Sequence, residues 1–140
     1  MTTEPLFSNL ASIPAGECQS FAAPGLQEKA TGVVFADGAA ECGVPLGGLG
    51  TGYLELRSDG TLGDSTQFNT FLAPHRFDSP ALAIAVGDQV CLLALSSQAG
   101  QEGAGSLRYW GHYPIADVTY DLGFPVGVWL RAFSPFVPGN

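Results

Sequence analysis

The sequence predicts an all-β fold, most simply an antiparallel β-sandwich of which this chain holds the first strands. Runs with strand-like alternation recur along the chain and are separated by turns rich in Gly and Asp, and no stretch has an amphipathic helical period of useful length. At 140 residues, of which 46% are apolar, the chain has the size of one domain and can bury a core.

Charge limits the partners of the chain. Five Lys and Arg stand against thirteen Asp and Glu, and the resulting net charge of −8 would repel nucleic acid and anionic membrane surfaces. Only 13% of the residues are charged, whereas a self-contained soluble domain carries about 25%. The composition therefore predicts that part of the exterior is buried against another domain or subunit, and it favours a neutral substrate or a protein partner.

The cysteines and the N-terminus predict a cytoplasmic protein without a bound metal or cofactor. Cys18, Cys42 and Cys91 are odd in number and show no CxxC spacing, which argues against a disulfide framework and a zinc site. His75 and His112 lack the spacing of metal ligands. The N-terminus has no basic segment before a long apolar one, and no window approaches the ~20 apolar residues of a transmembrane segment.

Residues 1–32 are predicted to form an extended leader and residues 33–140 the sandwich, with a short strand at residues 32–35. The glycines at positions 43, 47, 48, 50 and 52 predict a tight loop that enters a sheet. A dinucleotide fingerprint needs glycines at i, i+2 and i+5 before a helix, and a P-loop needs Gly-Lys-Ser/Thr. Tyr53 and Glu55 stand where the third glycine would be, and Lys29 is the only lysine, so nucleotide binding is rejected.

The first predicted hairpin pairs residues 52–57 with residues 62–68. If Asp59-Gly60 forms a two-residue turn, Glu55 lies opposite Asp64, and like charges directly opposite each other are destabilising. Either the loop is longer, or a carboxylate pair is present, and paired carboxylates catalyse glycoside hydrolysis. The alternative is that both are solvent-facing strand residues in a shifted register.

The second predicted hairpin pairs residues 81–86 with residues 89–95 about a Gly87-Asp88 turn. Apolar residues occupy both faces of both strands, whereas a sheet with one wet face alternates. We therefore expect this hairpin to be central in its sheet and covered on both sides. The composition of residues 96–106 predicts a flexible surface loop after it.

The third predicted hairpin joins residues 115–122 to residues 126–133. Their apolar residues fall on one face only if the connecting loop has an odd length, and a three-residue loop places Asp117 opposite Arg131. We expect this ion pair on the outer face of the sheet, where an exposed pair contributes about 0–1 kcal/mol.

Two residues are candidates for contact with a ligand. Trp110 lies in an aromatic cluster at residues 109–113, and aromatic faces stack on sugar rings, although such clusters also build cores and domain interfaces. Arg76 either points into the site of a neighbouring domain or is a solvated loop residue. No serine stands in a nucleophile-elbow motif.

Four segments carry a resemblance to a known family: GVPLGGLGTGYLEL (43–56), GDSTQFNTF (63–71), LRYWGHYPIADVTYD (107–121) and PVGVWLRAFSPFVPGN (125–140). In this order they resemble the N-terminal domain of glycoside hydrolase family 116, the family of bacterial and archaeal β-glucosidases and of the non-lysosomal glucosylceramidase. The resemblance implies a β-sandwich packed on a C-terminal helical domain, and it implies a retaining mechanism whose two catalytic acids both lie on that helical domain.

On this resemblance the chain is expected to be an N-terminal fragment without the helical catalytic domain. We therefore assign it no catalytic, cofactor-binding or metal-binding residue and expect it to be inactive alone. Its expected role is to scaffold the catalytic helical domain, its predicted partner, and to line the cleft for a carbohydrate or glycolipid substrate. The alternative is a stand-alone carbohydrate-binding or protein-interaction β-module, which would need a polar exterior.

Overall fold

The computed structural model describes residues 15–16, 18–22, 26–37, 43–48, 50–68, 72–77, 82–95 and 101–134. These residues form strands, turns and bends without a helix, so the predicted all-β class is confirmed, and none of them belongs to a helix that could cross a membrane. The strands are β1 (Cys18–Phe21), β2 (Ala30–Ala36), β3 (Gly43–Gly48), β4 (Gly52–Arg57), β5 (Leu62–Gln67), β6 (His75–Arg76), β7 (Ala83–Val86), β8 (Gln89–Leu92), β9 (Glu102–Gly103), β10 (Ser106–His112), β11 (Ile115–Asp121) and β12 (Val128–Phe133).

The strands form three sheets. The first has five strands in the order β1-β2-β10-β11-β12, the second has four in the order β3-β4-β5-β6, and the third has three in the order β7-β8-β9. Neighbouring strands are antiparallel except β8 and β9, which are parallel. The β2–β10 pair joins strands that are far apart in the sequence, so the five-stranded sheet holds the early and late parts of the chain together.

The main core lies between the five-stranded and the four-stranded sheets, which is the arrangement of a β-sandwich. Its buried members are Val44, Leu56, Leu93, Ala104, Leu107, Tyr109, Ala116, Val118 and Tyr120. Tyr109 ties the two sheets together, because its hydroxyl accepts a hydrogen bond from Val44 N (2.9 Å) and donates one to Leu56 O (2.9 Å).

The glycine run is a strand and a turn, so the predicted loop at residues 43–52 was wrong for most of its length. β3 pairs with β4 from end to end. A Cβ on Gly43 would lie 2.1 Å from Leu56 O, and one on Gly47 would lie 2.0 Å from Gly52 O. These glycines allow the close approach of two paired backbones, which is one of the uses of glycine inside strands.

The early part of the chain contributes two strands to the five-stranded sheet. The strand predicted at residues 32–35 is present within the longer β2, and β1 pairs with it so that Cys18 lies opposite Val33. The extended leader predicted for residues 1–32 therefore includes β1 and the start of β2. The sequence of β1 has no clean periodicity, which is why no strand was predicted there.

The first hairpin has a longer loop than a two-residue turn. Arg57 N–H donates to Thr61 O (2.9 Å), so three residues form the loop. The register then shifts, because Leu54 pairs with Ser65 and Leu56 pairs with Leu62, so Glu55 faces both Gly63 and Asp64 rather than Asp64 alone. A β-bulge of this kind inserts an extra residue into one strand and changes the direction of nearby side chains.

The second hairpin has the predicted two-residue turn, because Val86 pairs with Gln89. Its predicted central, covered position was wrong for the first strand, because β7 is the edge of a three-stranded sheet, and Leu82 and Val90 are 40% and 44% exposed. It is confirmed for the second strand, since β8 is central and residues 91–94 are buried on both faces. Within the predicted loop at residues 96–106, Glu102–Gly103 forms β9, and residues 96–100 lie outside the described residues.

Candidate functional site

The four-stranded sheet ends in an exposed apolar surface formed by Phe68, Leu72, His75 and Phe77, which we call the Phe68 patch. Phe68 is 68% exposed and Leu72 is 78% exposed. The rings of His75 and Phe77 meet edge to face, with centroids 5.7 Å apart. Together with the polar residues 65–67, these side chains line a cavity of about 350 Å³. Exposed apolar groups gathered in one place mark binding surfaces more often than scattered ones do.

The turn between β3 and β4 positions Phe68. Phe68 has a left-handed backbone with φ 56°, which costs a non-glycine residue about 1–2 kcal/mol. Its N–H donates to Thr51 O (3.2 Å), and this bond holds the backbone in place. Gly52 makes the contact possible, because a Cβ there would lie 2.1 Å from Thr66 O and 3.0 Å from Phe68 N. The turn that ends at Gly52 thus holds Phe68 in the conformation in which its side chain is exposed to solvent.

Side chains of alternating charge lie beside this patch, on the strand face opposite the core. Arg57 Nε donates to Glu55 Oε2 (3.1 Å), Arg57 Nη2 lies 3.8 Å from Asp64 Oδ1, and Arg76 Nε donates to Asp64 Oδ1 (3.1 Å). Glu55 also accepts bonds from the backbone N–H groups of Gly43 (2.9 Å) and Asp64 (3.4 Å). Arg57 thus lies between Glu55 and Asp64, the two carboxylates that the sequence analysis considered as a possible catalytic pair. In the structure they belong to a network of ion pairs.

The structure separates the two candidate ligand contacts. Trp110 is fully buried: Phe21 meets it edge to face at 5.0 Å, and His112 stacks on it at 3.8 Å between ring centroids. Its ring faces are therefore not open to a sugar. Arg76, with a 70% exposed side chain, lies on the surface between two residues of the Phe68 patch and pairs with Asp64.

A buried polar cluster, formed by His112, Asp117 and Arg131, lies on the outer face of the five-stranded sheet. Asp117 is fully buried and accepts two bonds from Arg131, at 2.7 Å from Nε and 3.0 Å from Nη2. Its second oxygen also lies 2.5 Å from His112 Nε2. The predicted Asp117–Arg131 pair is confirmed, but its expected exposure was wrong. Bidentate Arg–carboxylate pairs combine strength with fixed geometry.

The two buried side chains whose pKa is shifted, Cys91 and Tyr120, are both held in their protonated forms. Burial raises the pKa of the Cys91 thiol, and the nearby charge of Glu102 raises it further. Burial, followed by the charges of Tyr109 and Asp59, raises the pKa of Tyr120 well above that of a free tyrosine. Both groups stay protonated at neutral pH, and a thiol must be a thiolate to attack.

The Phe68 patch was missed by sequence reasoning. Phe68 and Phe77 lie in segments with no strong alternation, and the left-handed conformation of Phe68 depends on a contact with the remote residue Thr51. A sequence signal exists only in retrospect, in the glycine at position 52 that the contact needs. No group of three or more side chains suited to a metal ion occurs in the part of the chain that the structure describes.

Comparison with known families gives a match to a glycoside hydrolase domain. The model described as "beta-glucosidase 2, glycosyl-hydrolase family 116 N-term" matches residues 43–140. The match spans most of the chain and includes the Phe68 patch, the charged side chains beside it and the buried polar cluster. No curated protein and no solved structure matches the chain.

Proposed function

The chain belongs to the family of glycosyl-hydrolase family 116 N-terminal domains, a part of glycoside hydrolases, and from this membership we propose a specific role for it. It is a non-catalytic sandwich segment of a retaining β-glycosidase of the β-glucosidase or glucosylceramidase type, working in the cytoplasm. It scaffolds the helical catalytic domain and lines one side of the substrate cleft. The observation that carries the proposal is the exposed Phe68 patch within the matched residues.

The Phe68 patch has the properties of a docking surface. Aromatic residues are enriched at the centres of protein interfaces, where burial of a large ring contributes most. Phe68 is also held in place before any partner arrives, because the Thr51 contact fixes its backbone. A prearranged side chain loses less conformational entropy on binding. The backbone strain at Phe68 supports a functional role, since such outliers cluster at binding sites.

The described carboxylates support a non-catalytic role. A retaining glycosidase needs two carboxyl groups about 5–5.5 Å apart with the glycosidic bond between them. Glu55 and Asp64 share Arg57, and Asp117 is fully buried with Arg131. Each of these three carboxylates is therefore paired with an arginine of the same chain. The segment alone is therefore expected to show no hydrolysis of an aryl β-glucoside.

The alternative role, a stand-alone binding module, requires a polar exterior. The exposed fractions of Phe68, Leu72, Leu82 and Val90 favour a segment that packs against other protein. We therefore prefer the scaffold role, and the experiment below separates the two.

The test adds the purified chain to a family 116 helical catalytic domain produced without its own N-terminal sandwich. We expect hydrolysis of an aryl β-glucoside to rise and saturate as the chain is added. Phe68→Ser is expected to weaken binding and so to raise the half-saturating concentration of the chain about tenfold or more, since buried interface aromatics are often hot spots. Phe133→Ser, which changes a residue that is 59% exposed on the five-stranded sheet, is the matched control and should leave it unchanged.

Two results would overturn the proposal. Turnover by the chain alone would return Glu55 and Asp64 to consideration as catalytic groups. A catalytic domain whose hydrolysis does not respond to the chain, while the chain binds sugars by itself, would favour the module.

A further inference from the structure

Strand β7 is an open sheet edge. Among the described residues it pairs only with β8, through a two-residue turn that makes Val86 and Gln89 a hydrogen-bonded pair. Leu93 N–H also donates to Leu82 O (2.7 Å), which continues the same alternation. In an antiparallel ladder every second residue bonds to the neighbouring strand. The N–H and C=O groups of Ala83 and Ala85 therefore face the open side.

This edge lacks the usual protection. Natural edge strands carry charged side chains, prolines or bulges that discourage pairing with another chain. Of the other five edge strands, β6, β9 and β12 each carry a charged residue and β3 carries a proline, whereas β1 has neither. β7 reads AIAV, its register with β8 is regular, and the preceding Leu82 is also apolar. Nothing in the strand itself opposes the addition of a further strand.

The most complementary occupant of this edge is another copy of the same strand. The net charge of −8 makes most of the surface of one copy repel another, whereas β7 is neutral along its length. Two antiparallel β7 strands related by a twofold axis satisfy each other's open backbone groups, as in any isologous interface. The exposed side chains of Ala83 and Ala85 are small and leave the approach unobstructed, and Leu82 adds apolar contact beside the edge.

We propose that β7 pairs antiparallel with β7 of a second copy of this chain, so that one continuous sheet runs through a dimer. This surface is separate from the Phe68 patch and goes beyond the scaffold role. A four-residue edge buries less accessible surface than a stable interface does, which is about 1,200–2,000 Å² in total. The dimer is therefore weak and depends on protein concentration.

Sedimentation equilibrium over a range of concentrations tests the proposal. The mass is expected to rise from 14.5 kDa towards twice that value as concentration increases. Ala85→Lys places two like charges near the twofold axis and is expected to weaken dimerisation at least about tenfold. Val90→Lys is the matched control, because Val90 lies opposite Ala85 on the same face but in the inner strand β8. It is expected to change the dissociation constant less than about threefold, since it leaves the edge intact.

Hydrogen exchange supplies a second readout that does not depend on mass. The amides of Ala83 and Ala85 are expected to gain protection as concentration rises, and to exchange rapidly at all concentrations in Ala85→Lys. Thermal unfolding of both variants at low concentration checks that they fold, which we expect because both changed side chains are exposed.

Three outcomes would overturn the proposal. A monomer with unprotected amides would show an open edge that does not pair. A monomer with protected amides would show that the edge is occupied by the same chain. A dimer that survives Ala85→Lys and is lost in Val90→Lys would show packing through the sheet face. None of these outcomes bears on the role of the Phe68 patch in the glycosidase.

Discussion

The outer face of the five-stranded sheet and the β7–β8 hairpin differ in burial, and the difference is the reverse of what their sequences predict. The outer face carries His112, Asp117 and Arg131, and its ion pair was predicted to be exposed. The hairpin is apolar on both faces and was predicted to be covered. In the structure Asp117 is fully buried, whereas the hairpin is covered only at residues 91–94, and Leu82 and Val90 are 40% and 44% exposed.

The difference teaches that alternation predicts which residues share a face but not whether the face is covered. A charged group can be buried when specific partners compensate it, and Asp117 has both Arg131 and His112. An apolar face becomes buried only if another layer packs on it, and Leu82 and Val90 remain part exposed. The apolar sequence of the hairpin therefore indicates a surface that can be buried by a partner. In the scaffold role the partner is the catalytic domain, and in the β7 dimer it is a second copy of the chain.

The largest expected effect comes from removing the aromatic side chain at the centre of the buried face. Trp110→Ala should lower the free energy of unfolding by about 3–5 kcal/mol, because the fully buried ring leaves a cavity. Val90→Ala in the hairpin should cost less than about 1 kcal/mol, because the side chain is already part exposed. Urea unfolding of both variants measures the contrast. Equal losses would mean that the hairpin is as tightly packed as the buried face.

A smaller effect is expected from neutralising one carboxylate in each region. Asp117→Asn should cost about 3 kcal/mol, because it leaves the Arg131 guanidinium without its buried counter-charge. Asp88→Asn, in the exposed turn of the hairpin, should change stability by no more than about 0.5 kcal/mol. Thermal unfolding compares the two. If Asp117→Asn were as mild as Asp88→Asn, the buried cluster would contribute little to the fold.

The smallest expected effect is a difference between the alkylation rates of two cysteines, one of which lies on the inner side of the hairpin. Cys91 is buried on β8 and its thiol pKa is raised, whereas Cys18 on β1 is exposed. Alkylation by iodoacetamide near neutral pH should therefore be at least about tenfold slower at Cys91 than at Cys18. Mass analysis of the separate peptides gives both rates. Equal rates would show that the hairpin opens readily and that its inner face is poorly covered.

Register was the part of the fold most accessible from the sequence. Asp117 could be placed opposite Arg131 because turn length and alternation together fix which residues face each other. β3 was missed because five glycines look like a loop until the close backbone of β4 is known. Phe68 could not be predicted as a site residue, since its exposure and its left-handed backbone arise from a contact with Thr51 in another hairpin.

The pairing of β2 with β10 has a consequence for how the chain folds. Leu107 N–H donates to Asp37 across 70 residues of sequence, so the centre of the five-stranded sheet closes only after that length has been made. At a synthesis rate of about 5–20 residues per second, β2 leaves the ribosome roughly 4–14 seconds before its partner exists. Contacts of such high sequence separation form slowly, and an unpaired strand is prone to aggregation meanwhile. Folding of this protein is thus expected to be limited by the arrival of residues 106–112, and a chain stopped before them would leave β2 with only β1 beside it.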